Sequence, residues 1–255
     1  AQQSRFEVGH VPAAAVFAGA SAIQKSLATE HATGARHIVV DAIRDEDLIE
    51  IGRAARDLPL ITGGSGVALG LPANFGCSAA RVPWTGQSGK CVALSGSCSI
   101  ATRRQVEIHS ARHPTREIDA AAVIEGRLTA QDISEWLLNS DGVPLAYSSA
   151  DPDSVRAIQE RVGRDRAAER LEGLVAEGAR LAVAGGATRV ISAGGETSGA
   201  IIEGLGLTQL EIGPEIDPGV PALRARDNLV VALKSGNFGA DDFFEKADKV
   251  LAGQT

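Results

Sequence analysis

One junction, RVISAGGETSGAII at residues 189–202, constrains the fold more than any other stretch of the chain. A short β-branched run passes through two glycines directly into an apolar run at helical spacing. The same alternation of short apolar runs and amphipathic runs continues along most of the sequence. Strands that alternate with helices are typical of a parallel sheet, because each parallel connection needs a crossover. The sequence therefore predicts an α/β fold of three layers, with a largely parallel sheet and helices on both faces.

Hydrophobic periodicity also places the individual elements. Strands are predicted at residues 36–43, 58–62, 91–97, 143–149, 188–195 and 228–236. Helices are predicted at residues 45–57, 99–113, 132–140, 151–163, 165–182, 198–206 and 240–253, with a loop at 214–221.

A Pro- and Gly-rich stretch at residues 70–90 is the best candidate for a domain boundary. The length of 255 residues fits one large domain or two small ones. Because the chain begins with Ala and contains no Met, we expect a fragment or a processed chain.

The charge pattern narrows the set of partners. The net charge of −7 comes without a basic stripe, which excludes nucleic acid as an expected partner. No apolar stretch is long enough to span a bilayer, and the N-terminus lacks the pattern of a secretory signal, so a cytoplasmic protein without membrane contact is expected. The three cysteines are interpreted as reduced thiols, mostly buried. A homo-oligomer is left open.

Glycine-rich turns follow four of the predicted strands. They read GGSG at 63–66, SGSCS at 95–99, GGETSG at 194–199 and SGNFG at 235–239. The carboxyl ends of parallel strands meet at one edge of the sheet, and ligands bind there. Two or three such turns on one edge predict a continuous phosphate-binding rim. A single turn of this kind also occurs without any ligand, because tight turns need glycine anyway.

Several side chains near these turns are candidate phosphate contacts. Thr197 and Ser198 fall in the first turn of a predicted helix, where hydroxyl and N–H groups face an anion. We expect the phosphate to approach the backbone at Gly195, where φ is predicted to be positive. Glu196 either approaches a metal ion through water or complements the helix dipole. Lys234 either neutralises phosphate charge or is a solvated residue at the end of its strand.

Two other patterns are rejected as sites. TGQSGKC at 85–91 imitates a P-loop, but Cys91 occupies the position that needs Ser or Thr, and the strand follows instead of preceding it. We interpret it as a polar turn that leads into a strand. His109 and His113 have the i, i+4 spacing of metal ligands, but no third ligand accompanies them. A solvated helix face is the preferred interpretation.

An NAD-linked oxidoreductase is kept as an alternative. The spacing of Gly194, Gly195 and Gly199 does not match the dinucleotide-binding pattern. However, Glu215 lies about 20 residues further on, where that pattern places an acid on the ribose.

Six motifs, taken in order, carry a resemblance to a known family. They are ITGGSGVALGLP, ALSGSCS, YSSADP, AGGETSGAIIEGLG, EIGPEIDPGVP and ALKSGNFGADDFF. In this order they resemble the C-terminal part of the four-carbon acid sugar kinases, which phosphorylate threonate, erythronate and 3-oxo-tetronates with ATP. The resemblance implies that residues 90–255 form the nucleotide-binding domain and that residues 1–89 are the C-terminal remnant of the sugar-binding domain.

The resemblance also implies the site residues. ATP is expected on the three turns that follow the later strands, with Mg²⁺ bridging its phosphates. The contacts implied by the resemblance are Ser97, Gly194, Gly195, Glu196, Thr197, Ser198 and Gly236. Lys234 and Asn237, which flank Ser235 and Gly236 in the third turn, are added as candidate contacts. The family's DD-x-TGA segment is absent, so no catalytic residue is assigned. For this chain alone, a non-catalytic nucleotide-binding module is therefore an alternative to a kinase of an acid sugar.

Overall fold

The structure is a computed structural model that describes residues 4–77, 83–148 and 164–254, with the backbone alone for 164–167. The helix expected at 151–163 and most of the YSSADP motif lie outside the described residues. None of the described helices combines the length and the apolar character needed to cross a bilayer.

The chain divides into two compact units, Ala1–Arg81 and Val82–Thr255. The boundary predicted from the sequence lies after residue 89, so residues 83–89 belong to the second unit in the structure. Trp84 explains this assignment, because its indole Nε1 donates a hydrogen bond to the carbonyl of Val250 at 2.8 Å. The aromatic ring thereby fixes the entry segment to the C-terminal helix.

The described residues of the first unit form a pair of parallel strands and three α-helices. Its elements are β1 (Val8–Val11), α1 (Ala13–Phe17), α2 (Ala20–Ala32), β2 (His37–Val40) and α3 (Asp45–Ala54), followed by 3-10 helices at Ser65–Gly70 and Pro72–Phe75. Val11, Val16, Ile23 and Ala54 form its core. The strand predicted at 36–43 and the helix predicted at 45–57 are confirmed in shorter form.

The strand predicted at residues 58–62 is wrong. This segment has no regular structure, and the side chains of Leu58 and Leu60 are exposed. Pro59 lacks the N–H group that a strand needs for its ladder, which disfavours pairing at this position. The GGSG turn at 63–66 consequently leads into a 3-10 helix of the first unit instead of closing a strand.

The described residues of the second unit form a seven-stranded sheet. Its strands are β3 (Lys90–Ser95), β4 (Thr115–Glu117), β5 (Leu145–Tyr147), β6 (Ala187–Ala193), β7 (Glu211–Asp217), β8 (Val220–Arg226) and β9 (Leu229–Lys234). The spatial order is β4-β5-β3-β6-β9-β8-β7. The first five strands in that order are parallel, and β8 and β7 add an antiparallel hairpin at one edge.

Helices cover both faces of this sheet. They are α4 (Ile100–Ser110), α5 (Ala120–Ile124), α6 (Ala130–Asn139), α7 (Arg164–Ala184), α8 (Gly195–Gly204) and α9 (Phe243–Leu251). Because side chains alternate along a strand, Val92 and Leu94 pack on the face of α5 to α8, whereas Cys91 and Ala93 pack on the face of α4 and α9. The three-layer α/β fold predicted from the sequence is confirmed.

The loop predicted at 214–221 is wrong, because these residues belong to the hairpin of β7 and β8. Its turn is closed by the N–H of Gly219, which donates to Glu215 Oε1 at 2.7 Å, and Gly219 has a φ of 78°. The prolines that suggested a loop are tolerated here. Pro214 lies on the edge strand, and Pro221 pairs where the register shifts.

Replacing a buried ring of α9 tests the core of the second unit. Phe243 is fully buried against the sheet, so Phe243→Ala should lower the free energy of unfolding by about 3–5 kcal/mol. The matched control is Ile212→Ala on the edge strand, where the side chain is 65% exposed; its effect should stay within about 0.5 kcal/mol. Urea unfolding followed by circular dichroism measures both, and equal losses would contradict this core.

Candidate functional site

Three parallel strands end level with one another in the centre of the sheet. The register pairs Ser95 of β3 with Ala193 of β6, and Ala193 with Lys234 of β9. The ladder continues one step further, because Gly96 N donates to Ala193 O at 3.0 Å and Gly194 N donates to Lys234 O at 2.8 Å. The three following turns therefore start at the same height, on the edge where open α/β sheets bind ligands.

These turns touch one another through glycine. We define the glycine rim as residues 96–99, 194–198 and 235–239. A Cβ atom built on Gly96 would overlap Thr197 Oγ1, and one built on Gly236 would overlap Ser97 Oγ. A larger residue at either position would displace the hydroxyl of the neighbouring turn. The structure thus brings together three of the four predicted glycine turns, whereas the GGSG turn lies in the first unit.

The second turn of the rim opens α8 with free N–H groups. The first helical hydrogen bond runs from Ser198 N to Gly194 O at 2.9 Å, and no side chain of the described residues caps the helix. The N–H groups of residues 195–197 precede that bond and are available to an anion. A Cβ built on Gly195 would meet open space. The positive φ expected at Gly195 falls instead on Gly194, at 126°.

The side chains of this turn divide into an exposed and an inward set. Glu196 is exposed at the start of α8. Thr197 is buried, with its hydroxyl against Gly96, and Ser198 Oγ donates to Ser192 Oγ at 3.0 Å. The backbone amides, more than these two hydroxyls, are consequently the groups that face open space.

Helix α4 supplies polar side chains that fix the third turn, residues 235–239. Ser99 and Thr102 hydroxyls donate to the carbonyl of Gly236, the latter at 2.7 Å. Gln105 Nε2 donates to three successive carbonyls, those of residues 238, 239 and 240, at 2.9–3.1 Å. These three residues were not predicted from the sequence. Their spacing of three, which places polar side chains on one face of a helix, was the available signal.

Asp217 holds the far end of the same turn. Its carboxylate is buried and accepts hydrogen bonds from Ala240 N at 2.8 Å and from Lys246 Nζ at 2.7 Å. This residue was also missed, because the segment around it was predicted to be a loop. The turn is therefore held from two sides, by α4 and by the end of β7.

Lys234 is buried, with only 2% of its surface exposed, so the solvated strand end considered from the sequence is wrong. Its ammonium donates to Thr102 Oγ1 at 2.7 Å and to the carbonyls of Ser235 and Gly236 at 3.3 and 3.2 Å. Burial lowers the pKa of Lys234 to about 8. In the part of the chain that the structure describes, all three partners are neutral oxygens and no carboxylate forms an ion pair with it.

The rejected patterns have structural roles. His109 is buried and its Nε2 contacts the carbonyl of Val143 at 2.8 Å, so the solvated face expected there is wrong; burial lowers its pKa to about 4. Among the described residues, no group of three His, Cys, Asp or Glu side chains could hold a metal ion. The segment 85–91 leads into β3, as expected.

Two further predictions from the sequence are wrong, one about the burial of the cysteines and one about the role of Glu215. Cys91 is buried, but Cys77 and Cys98 are exposed, so the expectation of mostly buried thiols is wrong. Glu215 closes the β7–β8 hairpin instead of following a parallel strand. Glu215, the residue that kept an NAD-linked oxidoreductase as an alternative, therefore has a structural role in the hairpin.

The doubly covered parallel sheet and its glycine rim define an α/β domain of the nucleotide-binding class. Sequence models agree with this class: residues 92–244 match a nucleotide-binding C-terminal domain, and residues 1–71 match a sugar-binding N-terminal domain. The chain belongs to the four-carbon acid sugar kinase family.

Relatives and solved structures agree with this assignment. The chain is 39% identical to a 3-oxo-tetronate kinase of Pectobacterium atrosepticum, over 98% of this chain and 62% of that protein. It is 40% identical to a 3-oxo-tetronate kinase of Cupriavidus necator, over 99% and 60%. A solved structure from Salmonella typhimurium, 37% identical, superposes with a TM-score of 0.74 over 97% of this chain and 61% of that one. The chain thus spans about 60% of the length of these curated relatives.

Two adjacent glycines give a matched test of the rim. Gly194→Ala should lower the free energy of unfolding by roughly 1–3 kcal/mol, because its φ of 126° is strained for any residue with a Cβ. Gly195→Ala should change it by less than about 1 kcal/mol, or stabilise, because that position is open and helical. Urea unfolding of both variants gives the comparison. A larger loss for Gly195→Ala would contradict the assigned backbone geometry.

Proposed function

We propose that the glycine rim binds the phosphate groups of ATP, and that the chain supplies the nucleotide-binding part of a kinase that acts on four-carbon acid sugars. The observation that carries this proposal is the row of free N–H groups at residues 195–197, beside the positive φ of Gly194. A helix start without a capping side chain favours an anion. The match to a nucleotide-binding domain model over residues 92–244 supports the choice of ATP.

The three turns have different parts in the proposed site. The amides at residues 195–197 hold phosphate oxygens, and Gly195 leaves room for them because its position is open. Ser97 lies against both neighbouring turns and lines the same edge. Gly236 and Asn237 add backbone donors from the third turn. Phosphoryl transfer depends mainly on positioning and on charge stabilisation, and a rigid set of amides provides both.

We further propose that Mg²⁺ enters with the nucleotide. Mg²⁺ usually keeps several waters and binds through substrate phosphates with only one or two carboxylates. A site of that kind needs no cluster of three protein ligands, in agreement with the described residues. Glu196 is our candidate carboxylate, because it is exposed in the first turn of α8 beside the free amides. When bound, the ion would neutralise charge on the phosphates.

The acceptor in this proposal is a small acid sugar of the 3-oxo-tetronate, threonate or erythronate type. It rests on the names of the relatives and on the sugar-binding domain model that matches residues 1–71. Residues 1–89 would then contribute to the acid-sugar site and residues 90–255 to the nucleotide site. We place such an enzyme in the cytoplasm, where ATP is available.

Ligand-dependent melting tests the nucleotide. ATP with Mg²⁺ should raise the melting temperature by several degrees, because ligand at about 100 times its Kd stabilises a protein by roughly 2.7 kcal/mol. NAD at the same concentration should give no shift, since the glycine spacing does not match the dinucleotide-binding pattern and Glu215 closes the β7–β8 hairpin. If millimolar ATP leaves the melting temperature of a folded sample unchanged, the proposal is contradicted. A rise in the melting temperature with NAD alone would favour an oxidoreductase.

A fused chain separates a kinase from a non-catalytic module. We would join this chain to the part of the Pectobacterium atrosepticum relative that it does not match, and measure ADP release with four-carbon acids. The kinase proposal expects acid-dependent ADP release that Gly194→Ala reduces at least tenfold, because positioning of the phosphates supplies much of the rate. ATP binding without turnover of any acid, in a fusion shown to be folded, would support the non-catalytic module.

A further inference from the structure

The third turn of the rim is organised around a buried ammonium group. Lys234 Nζ donates to two successive carbonyls of this turn, those of Ser235 and Gly236. The Gly236 carbonyl also accepts from the hydroxyls of Ser99 and Thr102. Thr102 is a relay, since it accepts from Lys234 at 2.7 Å and donates to Gly236 at 2.7 Å. Both carbonyls are thereby turned into the protein.

The direction of these carbonyls fixes the direction of the amides that follow them. In a trans peptide the C=O of one residue and the N–H of the next point in opposite directions. Inward carbonyls on Ser235 and Gly236 therefore turn the N–H groups of Gly236 and Asn237 outward. Two successive outward amides form a concave donor pair of the kind that binds anions. The next amide, that of Phe238, is already used by the carbonyl of Ser235 at 3.2 Å.

We propose that Lys234 is a positioning residue, whose buried ammonium holds the third turn so that the amides of Gly236 and Asn237 face the nucleotide phosphate. This inference rests on the proposed function, because it assigns how one turn of that same site is held. It replaces the direct phosphate contact that the sequence suggested for Lys234. A side chain that is 2% exposed, with its three donors already used, acts through the backbone of the turn.

The charge on Lys234 titrates in an accessible range, since burial lowers its pKa to about 8. The ion pairs recorded on the elements packed around it are made among other residues. On α4, Arg104 pairs with Glu107 and Asp241; on α9, Lys246 pairs with Asp217 of β7 and with Asp242. The aromatic ring of Phe243 lies 5.6 Å from the ammonium. As pH rises through about 8, the ammonium loses a donor and its charge, so its hold on the carbonyls weakens.

Four variants isolate this role. Lys234→Met removes the ammonium and keeps an unbranched apolar chain. Thr102→Val removes the relay hydroxyl while leaving Lys234, and Thr102→Ser restores that hydroxyl. The matched control is Lys249→Met, because Lys249 is an exposed lysine of the same unit that pairs with Glu245.

The first measurement is made without nucleotide, by following the amide signals of Gly236 and Asn237 in NMR spectra from pH 7 to 9.5. In the parent chain and in Lys249→Met, both signals should shift with a midpoint near pH 8. Lys234→Met should abolish the titration, and Thr102→Val should reduce it, with recovery in Thr102→Ser. Amides that titrate alike in the parent chain and in Lys234→Met would overturn the positioning role.

The second measurement is the affinity for ATP between pH 7.5 and 9.5, a range above the second phosphate pKa of about 6. The parent Kd should rise severalfold across this range. Lys234→Met should bind about tenfold more weakly at pH 7.5, with no further change as pH rises. ATP binding that is intact and pH-independent in Lys234→Met would overturn the inference but leave the proposed function standing. If the parent chain binds no ATP while its Gly236 and Asn237 amides still titrate, the proposed function alone is overturned.

Discussion

The parallel register of β3, β6 and β9 is the constraint on which the rest of the site depends. Because each strand is buried on both faces, a slip of one residue would turn every side chain of that strand to the opposite layer. Ser95, Ala193 and Lys234 are thereby held side by side at the end of the ladder. Because the three turns start at the same height, small residues are enough to let them contact one another. The glycines at 96, 194 and 236 are those small residues.

The alternation of apolar and amphipathic runs was enough to predict the layers, since each strand that is followed by a helix imposes a crossover. The alternation of apolar and amphipathic runs gave a wrong prediction where two strands are joined by a hairpin and not by a helical crossover. The β7–β8 hairpin carries Pro214 and Pro221, which local propensity associates with loops, yet the edge position and the shifted register accommodate both. In the first unit the opposite error occurred, because the apolar run at 58–62 has the composition of a strand but no pairing there.

The candidate site shows the same division between local and long-range information. The glycine turns could be found because a strand, a glycine and a helix start follow one another within a few residues. Thr102 and Gln105 could not be found from local sequence, because their hydrogen-bond partners lie more than 130 residues away along the chain. Only the folded sheet brings α4 beside the turn after β9. Their polar spacing on one helix face was a signal, but it pointed to no particular partner.

Burying Lys234 has a cost that the proposed ligand would offset. Because its pKa is lowered from 10.5 to about 8, the charged form costs stability below pH 8, and that cost disappears as pH rises toward 10.5. An exposed lysine would avoid the cost, but its charge would be screened by salt and its side chain would move freely. A buried ammonium with three fixed acceptors can hold a backbone turn. An anion on the outward amides would favour the charged form, so ligand binding and protonation of Lys234 would support each other.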